Sequence, residues 1–399
     1  MNGPVNGPLD GPLDGPLNGA AGAEAGVRAG DRGPGRAASR PDGLVRAAVW
    51  YGARDVRVVD VAVRAPGTGE VTLAVAYCGI CGSDLHEYAD GPHAIPVTHP
   101  HPESGVTAPL VLGHEFCGTI TEVGPEVRGL APGDRVAVEP HYRCGTCPRC
   151  RNGEYNICRH FGFAGLMGHG GMAERATVPA YMLHRLPDTV PLEQAAVFEP
   201  AAVALHALRR SGLRAGETVA VVGLGPIGLL IVMLAVREGA GRVIVADLSP
   251  ARLDLARRLG ATDLVRVADR DALPGLMRRA AGGEGADVAF EVVGSEGTLR
   301  TCLEATRSGG RVVLAGLAGT VSIDAFALVN REQSIIATVG YRDVYPDLIR
   351  LVEEGVDLTA IVTSTIPLRD VVSDGFEALL GGGDQIKVLV RPGEGSART

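Results

Sequence analysis

The second half of this 399-residue chain alternates short apolar runs with segments of helical pattern, and this alternation constrains the fold more than any other feature. Short apolar runs bounded by glycine and polar residues predict strands. Strands separated by helices predict an α/β fold with a doubly wound parallel sheet over residues 199–342. The predicted strands are TVAVVG, RVIVAD, DLVRV, DVAFEVVG, RVVLAG and SIIATVGY.

A glycine-rich turn follows the first of these strands. Its glycines have the spacing that permits a tight turn and a close approach of the backbone to a pyrophosphate, and the helix that follows offers amide donors. The next strand ends in Asp247, 19 residues after Gly228, where a carboxylate accepts hydrogen bonds from the adenosine ribose. The pattern predicts a dinucleotide site formed by Gly223, Gly225, Pro226, Ile227, Gly228, Asp247 and Arg252.

Asp247 favours NAD over NADP because a carboxylate repels a 2′-phosphate, and Leu248 and Ser249 offer no cation. Arg252, one helical turn further on, keeps NADP open as the second choice. The alternative interpretation is that Asp247 is a surface residue that caps a helix.

The segment His141–His160 contains four cysteines at metal-ligand spacing: Cys144, Cys147, Cys150 and Cys158. Gly145, Pro148 and Gly153 allow the tight turns that such a loop needs. Four thiolates suit tetrahedral zinc, and a closed all-cysteine site is structural because no position remains for a substrate. Disulfides, a redox pair and an iron–sulfur cluster are the alternatives.

Composition and charge exclude several classes of protein. The chain has 46% hydrophobic and 21% charged residues, which is enough to build large cores in two or three domains. No stretch approaches the roughly 20 apolar residues of a membrane span, and the N-terminus lacks the order of a signal peptide. We therefore expect a cytoplasmic protein without a membrane partner. A net charge of -8 argues against nucleic acid as a partner.

Changes in composition divide the chain into four parts. Residues 1–44 repeat Gly-Pro with Leu, Asn or Asp and predict a disordered low-complexity tail. Residues 45–198 alternate apolar and polar positions in short strands and predict a β-rich domain. Residues 343–399 end in QIKVLV, a run that suits a return to this first domain.

A second, open metal site is predicted from separate segments. YCGICGSDLHEY contributes Cys81, Ser83 and His86, LVLGHEFCG contributes His114 and Glu115, and VFEPAAVALHA contributes Glu199. Sulfur, imidazole and carboxylate form a set that zinc accepts, and three protein ligands leave room for water or substrate. Cys78 and Cys117 are interpreted as buried, apolar-like cysteines.

These motifs together resemble the zinc-dependent medium-chain alcohol dehydrogenases, from Val45 to Pro392. GICGSDLH, GHEFCG, the four-cysteine loop and the glycine turn occur in the order of that family. LHEYADGPHAIP and FEPAAVALHAL are similar to its butanediol dehydrogenase group, with polyol and threonine dehydrogenases as near relatives. The resemblance implies a GroES-like catalytic domain, a Rossmann domain and a homodimer or homotetramer.

The resemblance also implies roles for the site residues. Cys81 would be the thiolate ligand of a catalytic zinc, His114 the imidazole ligand, and Glu199 or Glu115 the carboxylate ligand. Ser83 would accept the substrate proton, which leaves through His86, although Ser83 in Gly-Ser-Asp also suits a turn.

The expected activity is hydride transfer between NAD and a small secondary alcohol, a vicinal diol or the corresponding ketone, with 2,3-butanediol and acetoin as the first choice. Glu199 stands where many alcohol-specific members have a second cysteine, and this favours polyol or diol substrates. The alternatives are a polyol or threonine dehydrogenase and, from another class, a non-catalytic protein that binds zinc and NAD.

Overall fold

The computed structural model describes residues 43–316 and 319–393, so residues 1–42 of the expected tail lie outside the described part. The strands are β1 (Leu44–Gly52), β2 (Asp55–Ala62), β3 (Glu70–Gly79), β4 (Leu110–Val111), β5 (Glu115–Val123), β6 (Arg135–Val138), β7 (His141–Tyr142), β8 (Gly162–Phe163), β9 (Arg175–Pro179), β10 (Leu183–Arg185), β11 (Thr218–Val222), β12 (Arg242–Asp247), β13 (Asp263–Arg266), β14 (Ala286–Glu291), β15 (Thr306–Leu314), β16 (Ser334–Ala337), β17 (Val362–Pro367) and β18 (Lys387–Arg391).

The α-helices are α1 (Gly82–Asp90), α2 (Pro148–Arg151), α3 (Leu192–Ala195), α4 (Phe198–Ser211), α5 (Pro226–Arg237), α6 (Pro250–Arg258), α7 (Leu273–Ala280), α8 (Glu296–Ala305), α9 (Ala325–Asn330), α10 (Tyr345–Glu353) and α11 (Ala378–Leu380). A π-helical segment over Val371–Glu377 precedes α11. No helix in the described part of the chain is long and apolar enough to cross a membrane.

The strands that precede α4, together with β17 and β18, form a β-rich region. One sheet has the order β2-β1-β4, and a larger sheet has the order β10-β6-β5-β3-β18-β17, with β9 also paired to β3. On β3, the alternate residues Val71, Leu73 and Val75 are buried in one apolar cluster. The antiparallel register of β3 and β5 sets Gly79 opposite Glu115, which brings the end of β3 beside the GHEFCG segment.

The strands of the second half form one parallel sheet in the order β13-β12-β11-β14-β15-β16, and every neighbouring pair is parallel. The central strand β11 is buried on both faces: Val219 and Val221 pack into one apolar cluster, while Ala220 and Val222 pack into another. Helices cover both faces of such a sheet, which explains why these strands are apolar throughout. The prediction of a doubly wound α/β fold is confirmed.

The C-terminal segment returns to the larger sheet of the β-rich region. Strand β18, which contains most of the QIKVLV run, pairs antiparallel with β3 through Leu389 opposite Gly79. It also pairs parallel with β17. This return sets Lys387, at the start of β18, close to the residues that follow β3. The boundaries 45–198, 199–342 and 343–399 stay predictions.

Candidate active site and metal centres

Helix α1 begins at the predicted open metal site. Cys81 is the residue immediately before the helix, and its amide donates to Oδ2 of Asp84 at 2.9 Å. Asp84 is fully buried, and its carboxylate fixes the first turn of the helix. Ser83 and His86 lie three residues apart on α1, with Ser83 half-buried and His86 exposed. Residues three positions apart lie on one face of a helix, so Ser83 and His86 share a face of α1.

His114 lies between Asp84 and Ser83. Its Nδ1 is 3.6 Å from Oδ1 of Asp84, and its Nε2 is 3.3 Å from Oγ of Ser83. Burial lowers the pKa of His114, but the Asp84 carboxylate and the Cys81 sulfur together raise it well above its usual value. An imidazole with one nitrogen turned to a carboxylate presents the other nitrogen as a metal ligand. The Asp84 carboxylate and the Cys81 sulfur beside the ring also favour the binding of a cation at this site.

Glu115 is fully buried against Lys387. The Nζ atom of Lys387 donates to both carboxylate oxygens, at 2.8 Å and 2.7 Å, and to the carbonyl oxygen of Ile80 at 2.9 Å. Gly79 makes room for this arrangement, because a Cβ there would lie 2.0 Å from Oε2 of Glu115. The ion pair satisfies both oxygens of Glu115.

Three of the four predicted ligands come together. The donor atoms of Cys81, His114 and Glu115 all lie within 4.8 Å of one another, whereas Glu199 is not part of that group. Glu199 is 5% exposed in the first turn of α4, and burial raises its pKa to about 7. Glu115 contributes to this rise, while His114 lowers the pKa of Glu199, as expected for groups that share one site. A set of sulfur, imidazole and carboxylate fits zinc.

The four-cysteine loop also forms a compact donor group. The sulfur atoms lie within 4.8 Å of one another, and the Sγ atoms of Cys144 and Cys158 are 3.5 Å apart, longer than the roughly 2.05 Å of a disulfide. Hydrogen bonds from backbone amides lower the pKa of Cys144 to about 5 and also lower the pKa of Cys147. Burial and neighbouring sulfurs raise the pKa of Cys150 to about 12. The geometry fits one tetrahedral metal ion.

The turns predicted in this loop are present. Gly145 and Gly153 have φ of 68° and 72°, in the left-handed region that glycine adopts without strain. Pro148 begins the short helix α2, and the sulfur of Cys147, the residue before it, accepts from the Cys150 amide at 3.5 Å. Cys78 and Cys117, interpreted as structural, are fully buried, and burial raises the pKa of the Cys117 thiol to about 12.

The glycine turn joins β11 to α5. Gly223 has φ of 99°, and a Cβ on Gly228 would lie 2.0 Å from the Gly223 carbonyl oxygen. A Cβ on Gly225 would meet nothing within 4 Å, so the backbone before α5 faces open space. Pro226 and Ile227 form the first turn of α5. The turn can therefore bring backbone amides close to a phosphate.

Asp247 ends β12 beside this turn. Its Oδ2 accepts from the Leu224 amide at 2.7 Å, and its Oδ1 accepts from the Ser249 amide at 2.8 Å. The residue that caps α6 is Ser249, whose hydroxyl accepts from the Arg252 amide at 3.3 Å. Asp247 is thus tied to the glycine turn and does not cap the helix. Arg252 is half-buried on α6.

Comparison with known proteins identifies the family. Residues 67–188 match the alcohol dehydrogenase GroES-like domain, and residues 226–354 match the zinc-binding dehydrogenase domain. The chain is 39% identical to (R,R)-butanediol dehydrogenase of Bacillus subtilis (strain 168) over 87% of its own length and all of that protein. The chain belongs to the zinc-dependent medium-chain alcohol dehydrogenase family. It is therefore an oxidoreductase with a GroES-like and a Rossmann domain.

Other members of the zinc-dependent dehydrogenase family are nearly as similar. Sorbitol dehydrogenase of Bacillus subtilis (strain 168) is 34% identical over 87% of this chain and 97% of that protein. L-threonine 3-dehydrogenase of Anaeromyxobacter sp. (strain K) is 36% identical over 81% of this chain and 91% of that protein. The predicted resemblance is confirmed at the level of the family.

Two solved structures are similar to this chain in both fold and sequence. The crystal structure of 2R,3R-butanediol dehydrogenase from Bacillus subtilis has a TM-score of 0.82 and 39% identity, and the match covers 88% of this chain and all of that one. A zinc-binding dehydrogenase from Sinorhizobium meliloti 1021 bound to NADP has a TM-score of 0.79 and 31% identity, with 88% and 99% covered.

Two residues at the open metal site were missed by the sequence analysis. Asp84 lies in the Gly-Ser-Asp segment, where only a turn was considered. Lys387 interrupts the apolar run QIKVLV and is the only lysine in the chain, a signal that could have drawn attention to it. The eight histidines other than His86 and His114 join no group of three metal donors in the described residues.

Proposed function

We propose that this chain is an NAD-dependent, zinc-dependent dehydrogenase of small secondary alcohols or vicinal diols, with 2,3-butanediol and acetoin as its substrate pair. The observation that carries the proposal is the group of Cys81, His114 and Glu115 donors beside Ser83. Two relatives of this chain that are named (R,R)-butanediol dehydrogenase, 39% and 36% identical to it, favour the butanediol choice. A polyol or threonine dehydrogenase is the second candidate, because relatives with those names are also similar.

The proposal includes two zinc ions per chain. The four-cysteine group would hold a structural ion, and Cys81 and His114 with one glutamate would hold the catalytic ion. The carboxylate ligand would be Glu115, whose oxygen belongs to the donor group, or Glu199 in the first turn of α4. Zinc at this site would supply Lewis acidity toward a substrate hydroxyl, and NAD would accept the hydride.

The protein's own residues supply the path of the proton. Ser83 holds its hydroxyl 3.3 Å from Nε2 of His114, so a substrate bound at the ligand face of that ring would lie within reach of Ser83. The hydroxyl can accept the substrate proton as it releases its own proton toward His86, which lies three residues further along α1 and is exposed to solvent. An imidazole can both accept and donate a proton, which suits the last step of such a relay.

NAD is preferred over NADP in this proposal. The Asp247 carboxylate is held by two backbone amides beside the glycine turn, which fixes a negative charge where a 2′-phosphate would bind. Arg252 on α6 is the one feature of the predicted site that favours NADP. The NADP-bound relative from Sinorhizobium meliloti keeps this second choice worth testing.

A homodimer or homotetramer is also proposed. Strand β16 is one of the two outer strands of the parallel sheet, and α9 just before it exposes Phe326 by 79% and Val329 by 72%. An outer strand with exposed apolar neighbours is a suitable surface for a second copy. Light scattering of the purified protein tests this, and Phe326→Asp is expected to lower the measured mass.

A cytoplasmic location completes the proposal. All eight cysteines are free, as expected in a reducing compartment. Fractionation of cells that produce the full chain would test the location.

The decisive experiment is NAD reduction by the purified protein with the stereoisomers of 2,3-butanediol, sorbitol, threonine and simple alcohols. The expected result is turnover concentrated on one butanediol isomer and abolished by a zinc chelator or by Cys81→Ser. Preference for sorbitol or threonine would replace the substrate and keep the reaction. No turnover despite bound zinc and NAD would favour the non-catalytic alternative.

A further inference from the structure

Strand β14 ends in a buried glutamate at the point where the strand order of the parallel sheet reverses. Strands β12 and β13 lie on one side of β11, and β14, β15 and β16 lie on the other. A dinucleotide binds across the crevice at such a reversal, outside the carboxyl ends of the strands. Glu291 is the last residue of β14, stands opposite Val222 of β11 and is fully buried.

One carboxylate oxygen of Glu291 holds the turn that follows the strand. Oε1 accepts hydrogen bonds from the amides of Val293 and Gly294, each at 2.9 Å, and from the Thr298 hydroxyl at 2.7 Å. Thr298 lies in the first turn of α8, so the carboxylate joins the strand, the turn and the helix. Oε2, in contrast, has no hydrogen-bond partner among the described residues. The position of the turn therefore depends on a single acceptor atom.

The end of β15 packs on the same residue. The backbone carbonyl oxygen of Glu291 accepts from the amides of Ala315 and Gly316, both at 3.0 Å. A Cβ on Gly316 would lie 2.3 Å from the Gly294 nitrogen and 2.5 Å from Oε2 of Glu291, so glycine permits this close approach. The segments that leave β14 and β15 thus meet at one glutamate.

The turn held by Glu291 faces the glycine turn. The Val292 amide donates to the Val222 carbonyl oxygen at 3.2 Å. A Cβ on Gly223 would lie 2.5 Å from Cγ2 of Val293, and a Cβ on Gly228 would lie 3.2 Å from Cγ2 of Val292. Val293 is also 54% exposed, so its other face borders solvent. Val292 and Val293 therefore form an apolar wall beside the glycine turn.

This apolar wall and Asp247 lie on opposite sides of β11. Asp247 ends β12, where it is placed to accept hydrogen bonds from the adenosine ribose. Strand β14 is the other neighbour of β11, so a dinucleotide with its adenosine beside Asp247 extends its nicotinamide half toward the apolar wall. Apolar side chains suit the face of such a ring.

We propose that Glu291 is a positioning residue whose carboxylate holds Val292 and Val293 as the wall of the nicotinamide half of the NAD groove. This inference rests on the proposed function, in which the glycine turn binds NAD. Without the carboxylate, the Val293 and Gly294 amides lose their acceptor, and the apolar wall loses its fixed position.

The test compares the wild type with Glu291→Ala, Glu291→Gln, Val293→Ala and Asp287→Ala. Glu291→Gln keeps an acceptor oxygen, and Val293→Ala shortens the apolar wall at an exposed position. Asp287→Ala is the matched control, because Asp287 is the other carboxylate of β14 and lies at the opposite edge of the sheet. It accepts from the Thr218 amide at 2.8 Å and from Nε of Arg307 at 2.6 Å.

Calorimetric titration measures the dissociation constants of NAD and of ADP, which lacks the nicotinamide half, and thermal unfolding without ligand measures stability. We expect Glu291→Ala to weaken NAD binding by about tenfold or more and ADP binding by less than about threefold. Val293→Ala is expected to weaken NAD binding, again with less effect on ADP. Glu291→Gln should keep most of the NAD affinity, and Asp287→Ala should lower the melting temperature only.

Unchanged NAD affinity in Glu291→Ala overturns the inference, as does an equal loss of NAD and ADP affinity or an equal loss of NAD affinity in Asp287→Ala. If Glu291→Ala does not fold, unchanged NAD affinity in Val293→Ala overturns it. Failure of the wild type to bind NAD instead overturns the proposed cofactor, and the inference with it.

Discussion

Lys387 and Glu115 form a buried ion pair in which Nζ lies 2.8 Å and 2.7 Å from the two carboxylate oxygens. Lys387 is the only lysine of the chain, whose other basic side chains are arginines. A compact ammonium group can reach both oxygens and the Ile80 carbonyl from one position. Removing one partner of such a pair leaves an uncompensated charge in the interior.

Lys387→Met is therefore expected to lower the free energy of unfolding by about 3 to 5 kcal/mol. The double variant Lys387→Met with Glu115→Leu is expected to recover much of the loss, because it removes both charges of the pair and leaves neither one unpaired. Urea denaturation followed by circular dichroism measures both. A free energy of unfolding of Lys387→Met within about 1 kcal/mol of the wild-type value would contradict the role of the buried pair.

The features that the sequence predicted depend on spacing within short segments. The six parallel strands, the glycine turn and the four-cysteine loop each follow from local periodicity or from turn residues such as Gly145 and Gly153. Local patterns determine local structure, and these elements then have few ways to assemble.

Contacts between distant segments were not predictable in the same way. Lys387 and Glu115 are 272 residues apart in the chain and meet only because β18 pairs with β3. No local pattern carries that information, and the choice between Glu115 and Glu199 therefore stayed open in the sequence analysis.

Cys150→Ser tests the structural metal site. We expect the zinc content to fall by one ion per chain and the melting temperature to decrease, because metal binding to a closed site contributes directly to folding. Cys302→Ser is the matched control, since Cys302 is fully buried outside both donor groups. Elemental analysis and calorimetry provide the measurements. Equal zinc content in the two variants would contradict the site.

Ser83→Ala tests the proton path. The hydroxyl lies 3.3 Å from Nε2 of His114, and loss of a positioned acid or base group typically lowers turnover by about 10² to 10⁴. Zinc content and NAD affinity are expected to stay unchanged, because Ser83 is not in the group of metal donors. Steady-state kinetics with the preferred alcohol measures the effect. A fall of less than about threefold would favour the turn-forming role of Ser83.

Asp247→Asn tests the cofactor choice. The amide oxygen can still accept from the Leu224 backbone, so the turn is kept while the negative charge is removed. A hydrogen bond to a charged group contributes about 1.5 to 3 kcal/mol, so we expect KM for NAD to rise about tenfold or more and KM for NADP to fall. Arg252→Ala is the control and is expected to affect NADP alone. Kinetics with both cofactors measures these changes. An unchanged preference for NAD would contradict the role of Asp247.

The pH dependence of stability is expected to depend on His141. Burial lowers its pKa to about 3, from an ordinary value of about 6.5. Its ring is 1% exposed and packs against the Tyr341 ring and the edge of Phe163. The unfolded chain therefore binds a proton below about pH 6.5 that the folded chain does not accept.

Stability should consequently decrease as pH falls from about 6.5 toward 3, with His141 contributing about 1.4 kcal/mol per pH unit. Above pH 7 the residue is neutral in both states and contributes no slope. His141→Phe preserves the aromatic packing, so its unfolding free energy, measured in urea between pH 5 and 8, should fall less steeply below pH 6.5. If the free energy of unfolding falls equally steeply below pH 6.5 in the wild type and the variant, His141 takes up its proton in the folded state.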